Sequence, residues 1–364
     1  MNRKTYVDFA KCIAILFVLM NHIGLTIPYV SNFGGMFYVP IFFVLAGYTY
    51  HTKEETYRCF VYKKAKRLLV PYFIANMVYF VFFFLKDDVL GRKIGLQSLK
   101  PLGGIFYSRF SLYPLTEEFT EANIYFLTIQ NSPTWFLTAL FLSYLLFELV
   151  VRGINAYKQK NKEKVAFVIA SVILLAVGMI VHYVCPVLLP WSLDSVPFFT
   201  VYMIAGYYMS RNHFLESIEE KKGSFPYLVF LLLVIVTMGG YALGGSANIS
   251  VGNFGRYTLL GVWNGIVSSL LVLYLSFFAK KFHLKVLCEI GRNTLHILCY
   301  HMFVFMFLIT LCNMRLPGVL EQTTRVSFML KLVIVLVTIG VIMLGTKCQL
   351  FFASLHKLRK KIMK

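Results

Sequence analysis

Near its start the chain reads YVDFAKCIAILFVLMNH, which places an aspartate, a lysine and a histidine (Asp8, Lys11 and His22) inside an otherwise apolar run. At about 100° per helical residue, the eleven steps from Lys11 to His22 make three turns plus about 20°, and Asp8 falls within about 40° of His22. One stripe of a single helix therefore carries all three. Ionisable groups at membrane depth cost roughly 2.5 to 3.5 kcal/mol each on insertion scales, and they persist where they face a bundle interior or a wet cavity. Such groups mark chemistry or transport. The plainer account makes Asp8 a structural partner of Lys11, one turn away, and His22 a residue of the helix end.

Two further stretches carry candidate chemistry. In EIGRNTLHILCYHMF, Thr294 and His301 are seven residues or about two turns apart, on a face that can line the same cavity as the first span. A packed, hydrogen-bonded core histidine is the equally weighted alternative for His301. His296 lies on a different face and makes no metal pair with it. In FVYKKAKRLLVPYF, the cations Lys63, Lys64, Lys66 and Arg67 precede a helix. Lys64 and Arg67, three residues apart, suit charge-assisted hydrogen bonds to phosphate groups. The positive-inside rule supplies the same basic cluster at a cytoplasmic helix end with no ligand at all. Glycine-rich phosphate loops, GxSxG elbows and HExxH helices are absent. Seven cysteines, scattered mostly within apolar stretches, give neither a disulfide framework nor a CxxC metal pair. Cys185 and Cys312 read as apolar filler.

The elements that must position these groups are membrane helices. Of 364 residues 58% are hydrophobic, with 35 Phe and 23 Tyr, and the mean hydropathy is +0.69, more apolar than a soluble domain of this length can bury. The formal charge of +20 is spread over short clusters between apolar runs, as expected of cytoplasmic loops, and this argues against a nucleic-acid partner. The first apolar run is too long for a signal-peptide core and reads as a permanent helix. We expect an all-α polytopic bundle of about ten transmembrane helices: Tyr6 to Ile27, Met36 to Tyr50, Leu68 to Leu85, Thr134 to Val151, Val165 to Cys185, Val196 to Ser210, Pro226 to Leu243, Tyr257 to Phe278, Thr294 to Cys312 and Ser327 to Leu344. The short spans at Met36 and Val196 suit little tilt, re-entrance or a break around a polar cavity. Charge alternation puts both termini in the cytoplasm. The domain is expected over 1–350, followed by a basic cytoplasmic tail, 351–364. The long segment from Lys86 to Pro133 reads as a structured external cap.

These stretches, in this order, resemble the acyltransferase 3 family of bacterial membrane acyltransferases, and more narrowly its fucose 4-O-acetylase-like branch. The matching pieces are YVDFAKCIAILFVLMNH, FYVPIFFVLAGYTY, FVYKKAKRLLVPYF, SPTWFLTALFLSYLL, FFTVYMIAGYYM and IGRNTLHILCYH, which together cover nearly the whole chain. The family carries a basic residue, ten positions and then a histidine in its first span; here these are Lys11 and His22. The resemblance implies that His22 is catalytic. It also implies that the family's Arg-x-x-Arg motif, associated with the acyl-CoA donor, falls on Lys64 and Arg67, with lysine's point charge in place of one planar fork.

The expected protein is thus a multi-pass O-acetyltransferase of the cell membrane. Acetyl-CoA is its co-substrate, without a metal, and its acceptor is a glycan or lipid-linked sugar. CoA phosphates rest on Lys63, Lys64, Lys66 and Arg67. His22 acts as general base or as nucleophile, Asp8 and Lys11 orient the path, and His301 polarises the thioester or binds sugar. For the acceptor, Trp135, Arg256, Tyr113 and Glu118 are the candidates, with Tyr107, Phe110, Phe119 and Tyr125 as stacking faces, Glu117 and Glu121 as hydrogen-bond acceptors and His182 in reserve. An interfacial aromatic belt with solvated acids is the alternative for that segment. The runner-up function is a small-molecule carrier built on the same domain, since intramembrane Asp, Lys and His also suit proton coupling.

Overall fold

Backbone amides inside a bilayer have no water to bond, so a chain this apolar has to satisfy them within each segment. The computed structural model describes residues 5–52, 54–91, 95–112, 129–156, 162–185, 187–221, 223–245, 247–282 and 284–362, and every extended element among them is helical. In chain order these are α1 (Thr5–His22), α2 (Val30–Phe37), α3 (Pro40–Tyr48), α4 (Tyr57–Phe83), α5 (Lys100–Tyr107), α6 (Trp135–Ala156), α7 (Glu163–Val184), α8 (Val196–Arg211), α9 (Phe214–Glu219), α10 (Phe225–Gly244), α11 (Thr258–Phe278), α12 (Lys285–Arg292), α13 (Thr294–Arg315) and α14 (Arg325–Ile362). Among the described residues eight helical segments are long and apolar enough to cross a membrane, or nine if α2 and α3 form one span bent by 47°.

All ten expected segments are helical, but eight or nine of them, not ten, are long and apolar enough to span a membrane, and their bounds differ at the ends. The first stops at His22 instead of Ile27, because Gly24 turns the chain with φ +66°. The second is broken before Pro40, which opens α3 at its first position, where proline loses no helical hydrogen bond. The sixth, α8, has 16 residues, about 24 Å on a 1.5 Å rise and short of a 30 Å hydrocarbon core. Most of α8 is buried in protein. The third begins eleven residues earlier than expected, capped by Thr56, whose hydroxyl accepts from the Cys59 amide. The basic run therefore lies within α4 and does not precede it. At the other end α14 continues unbroken to Ile362, through most of the expected basic tail.

The chain divides into two compact units, one from 1–31 with 279–364 and the other from 32–278. In the first, α12 lies directly against α1. A Cβ added to Gly291 would fall 1.7 Å from the Asp8 carbonyl oxygen, so only a glycine lets the two backbones approach this closely. That contact brings Arg292 to Asp8, Nε to Oδ2 3.2 Å.

In the second unit the closest helix pair is α3 with α8. A Cβ on Gly47 would sit 1.8 Å from the Met203 carbonyl oxygen, and one on Gly206 would sit 1.9 Å from that of Val44. Each glycine meets the residue three positions before the other, a reciprocal contact in which small residues substitute for a hydrophobic driving force that lipid does not provide. The described parts of the Lys86 to Pro133 segment fold onto this unit. Tyr72 Oη donates to the Ile105 carbonyl at 2.5 Å, and Ser108 Oγ bonds Thr138 Oγ1 at 2.8 Å. Arg109, 0% exposed, grips both Asp194 oxygens at 2.5 Å, the Ser192 hydroxyl at 3.0 Å and the Leu189 carbonyl at 3.1 Å. Removing one partner of such a buried pair strands a charge, at a cost of about 3–5 kcal/mol.

The packing makes a graded prediction. Gly47→Ala and Gly206→Ala should each lower stability by about 1–3 kcal/mol through overpacking, read as an earlier thermal transition in detergent. Gly153→Ala, where nothing lies within 4 Å of the new methyl, should leave the transition unchanged or raise it slightly.

Candidate active site

The last residue of α1 meets the second turn of α13. His22 and His301 have ring centroids 5.2 Å apart at an interplanar angle of 53°, and Phe305 stands edge-on to His301 at 5.6 Å. The His301 ring is 0% exposed. Its Nδ1 lies 2.8 Å from the Ile297 carbonyl oxygen and 3.1 Å from that of Leu298. Both partners only accept, so Nδ1 must carry the proton and the neutral ring presents its lone pair at Nε2. That buried Nε2 has no hydrogen-bond partner among the described residues. An unmet buried acceptor costs about 1–3 kcal/mol, and its persistence next to a second histidine fits a base kept ready for a hydroxyl donor. The backbone fixes the tautomer and leaves Nε2 without a partner among the described residues.

Asp8 and Lys11 are elsewhere. Asp8 lies about 21 Å from His22 along α1, at 1.5 Å per residue, is 2% exposed, and is engaged by Arg292 of α12. Lys11, half-buried, is one turn further along. The stripe read from the sequence exists on the helix, but its acid joins two helices while its histidine meets another histidine. Arg292 was not among the expected site residues; the glycine immediately before it, in a helix with few other small residues, was the available signal.

The four cations of α4 are not equivalent either. Lys63 forms an ion pair with Glu55. Lys64 places its ammonium 3.3 Å from the Tyr144 ring centroid and 5.2 Å from that of Phe60, contacts that a cation gains from aromatic faces. Lys66 and Arg67 are exposed and have no ion-pair partner among the described residues. Glu55 is held in place by a network: Arg152 Nη2 donates to the Glu55 carbonyl at 2.8 Å, Arg152 Nε to Glu148 Oε1 at 2.7 Å, and Tyr50 Oη to Glu148 Oε2 at 2.5 Å. Burial and the adjacent Glu148 carboxylate push the Tyr50 phenol well above its ordinary range, so it stays a neutral donor.

The expected acceptor residues are dispersed. Trp135 is core, 4% exposed, edge-on to Phe136 and tilted against Phe199. His182 is half-buried between Phe198 and Phe254. Tyr107 spends its hydroxyl on the Leu188 carbonyl at 2.7 Å. Phe110 and Arg256 are exposed. Tyr113, Glu117, Glu118, Phe119, Glu121 and Tyr125 lie outside the described residues.

A family model described as an acyltransferase domain matches residues 4–345. The chain belongs to the acyltransferase 3 family. No curated protein and no solved structure matches it. Membership together with the apolar helices makes this a polytopic membrane acyltransferase. The match runs through both units, so the histidine pair of the first and the basic helix start of the second both belong to the acyltransferase domain.

The tautomer assignment is directly measurable. With ¹⁵N-labelled histidine and His301→Gln for assignment, His301 should show a protonated Nδ1 and an unprotonated Nε2 at neutral pH, the less common neutral form. An Nε2–H signal for His301 would contradict the hydrogen bonds to Ile297 and Leu298.

Proposed function

We propose that this acyltransferase 3 protein moves an acetyl group from cytoplasmic acetyl-CoA to a hydroxyl of an extracytoplasmic glycan or lipid-linked sugar, in the cell membrane of a bacterium and in the manner of the fucose 4-O-acetylase-like branch. The observation that carries the reading is the pair of half-buried His22 and buried His301, the latter with an unpartnered Nε2. An imidazole lone pair in a water-poor setting can take the proton of an attacking hydroxyl, a step typically contributing 10²–10⁴-fold. The oxygen then attacks the thioester carbonyl. Collapse of the tetrahedral intermediate forms the ester and expels CoA thiolate, which receives a proton from the imidazolium. In the two-step variant His22 is itself acetylated before the hydroxyl attacks. Asp8, bonded to Arg292, sets the pitch of α12 on α1 and so supports the path, with Lys11 beside it.

For the donor, Lys66 and Arg67 offer unengaged charge to the CoA phosphates, and arginine adds a planar two-pronged donor. Lys63 and Lys64 would join them only by leaving Glu55 and the Tyr144 ring. Arg256 is the exposed cation among the acceptor candidates, with Tyr113 and Glu118 in the same role from the Lys86 to Pro133 segment.

Two measurements on the purified full chain test this. His22→Ala should cut acetyl transfer at least about 100-fold while the protein still inserts and elutes as wild type; retention of more than about a tenth of the rate would remove His22 from the chemistry. Replacing Lys66 and Arg67 together by Ala should raise the KM for acetyl-CoA, with kcat little changed, and flatten its dependence on salt, because screening acts on exposed charge contacts. Lys63→Ala should do much less. An equal effect from Lys63 would show that the Glu55 pair opens when the donor binds.

A further inference from the structure

A cation that neither the sequence nor the family match singled out lies at the His22 end of α1. Lys331, seven residues into α14, donates from Nζ to the carbonyl of Gly24 at 2.9 Å, two residues after His22. A Cβ on Gly24 would be 3.8 Å from that ammonium, so Nζ lies over the turn itself. Lys331 is half-buried near the start of a candidate membrane span, and its bond to the Gly24 carbonyl is exposed. An ammonium has three donors, and the Gly24 carbonyl takes one and neutralises none of the charge.

No carboxylate among the described residues pairs with it, and the acids of this unit show why. There are three in the unit's sequence, Asp8, Glu289 and Glu321. Asp8 is bonded to Arg292 near the opposite end of α1, Glu289 is paired with Lys347 at 3.2 Å, and Glu321 is exposed on the turn before α14. If Lys331 served only to tie the turn to α14, a glutamine would do so without the cost of a charge. A cation held at the turn two residues after His22, with His301 Nε2 unpartnered across from His22, offers two complementary interactions at one end of α1: a base for a hydroxyl and a fixed positive charge for an anion on the same molecule.

We infer that Lys331 binds an anionic group of the acceptor, a carboxylate or a phosphodiester, next to the hydroxyl that is acylated, and so selects negatively charged sugars. This rests on the acyl-transfer reading above and adds the charge of the substrate to it. Lys331 is a specificity-determining residue here, with no part in the proton transfer.

The test uses the full chain in detergent, acetyl-CoA, and three acceptors that share an alkyl chain: decyl glucoside, decyl glucuronide, and decyl phosphate diesterified to glucose. Lys331→Gln keeps a donor for Gly24 and removes the charge; Lys331→Arg keeps the charge. The expected result is a rise of tenfold or more in KM for at least one anionic acceptor in Lys331→Gln, recovery in Lys331→Arg, and no change with decyl glucoside or in the hydrolysis of acetyl-CoA without acceptor. The anionic acceptor that responds tells whether the charge sits on the sugar or on its lipid link. Equal losses with all three acceptors would make Lys331 a strut for the turn, and no loss with any would assign it to headgroups; either overturns the inference and leaves acyl transfer standing. Failure of the wild type to acylate any of the three would overturn acyl transfer to sugars, and this inference with it.

Discussion

Charge inside an apolar bundle must be neutralised by a partner or held for use, and the structure is organised around that requirement. Most buried charges are neutralised. Asp8 takes Arg292, Arg109 takes Asp194, and Glu148 takes Arg152 together with the Tyr50 hydroxyl. Arg292–Asp8 and Arg109–Asp194 join segments distant in sequence, α1 with α12 and the segment after α5 with the turn before α8, and the Tyr50 hydroxyl ties the residues after α3 to Glu148 of α6, whose own cation, Arg152, is one turn along the same helix. Against that background the groups without partners stand out. His301 Nε2, Lys331 beyond its bond to a carbonyl, and Lys66 with Arg67 are where interaction energy is still available to a substrate.

Close backbone contact is what makes the pairs possible. Gly291 admits the Asp8 carbonyl, and Arg292 follows it into place. Gly47 and Gly206 do the equivalent for α3 and α8, and Gly240 receives the Asn264 side chain between α10 and α11. With lipid as solvent, apolar side chains gain little from meeting each other, so contact area and polar bonds carry the association. The short α8 is stable within this unit because its neighbours, and not lipid, cover it.

The helix α1 does two jobs at its two ends. Near its start it is structural, a buried carboxylate clamped by an arginine. At its end it sets an imidazole against another imidazole whose tautomer is dictated by backbone carbonyls one turn back. A rigid helix about 27 Å long, at 1.5 Å per residue, connects the two. The clamp at Asp8 anchors the helix whose far end carries His22.

Periodicity and composition were enough to determine the all-helical membrane class, the approximate position of each long apolar helix, and the shared stripe of Asp8, Lys11 and His22, because hydropathy and the helical repeat are properties of a segment by itself. The order of motifs was enough for the family. Tertiary structure alone decided what each stripe meets: that Asp8 faces Arg292, 284 positions away, that His22 faces His301, that Lys63 and Lys64 are already engaged while Lys66 and Arg67 are not, that Trp135 is core, and that Lys331 lies over Gly24. A helical wheel reports which residues share a face of their own helix and carries no information about the partner of that face. The breaks at Pro40 and after His22, the early start of α4 and the extension of α14 were illegible for a related reason: helix ends are set by caps, turns and neighbouring protein, which leave only faint marks in a run of apolar residues.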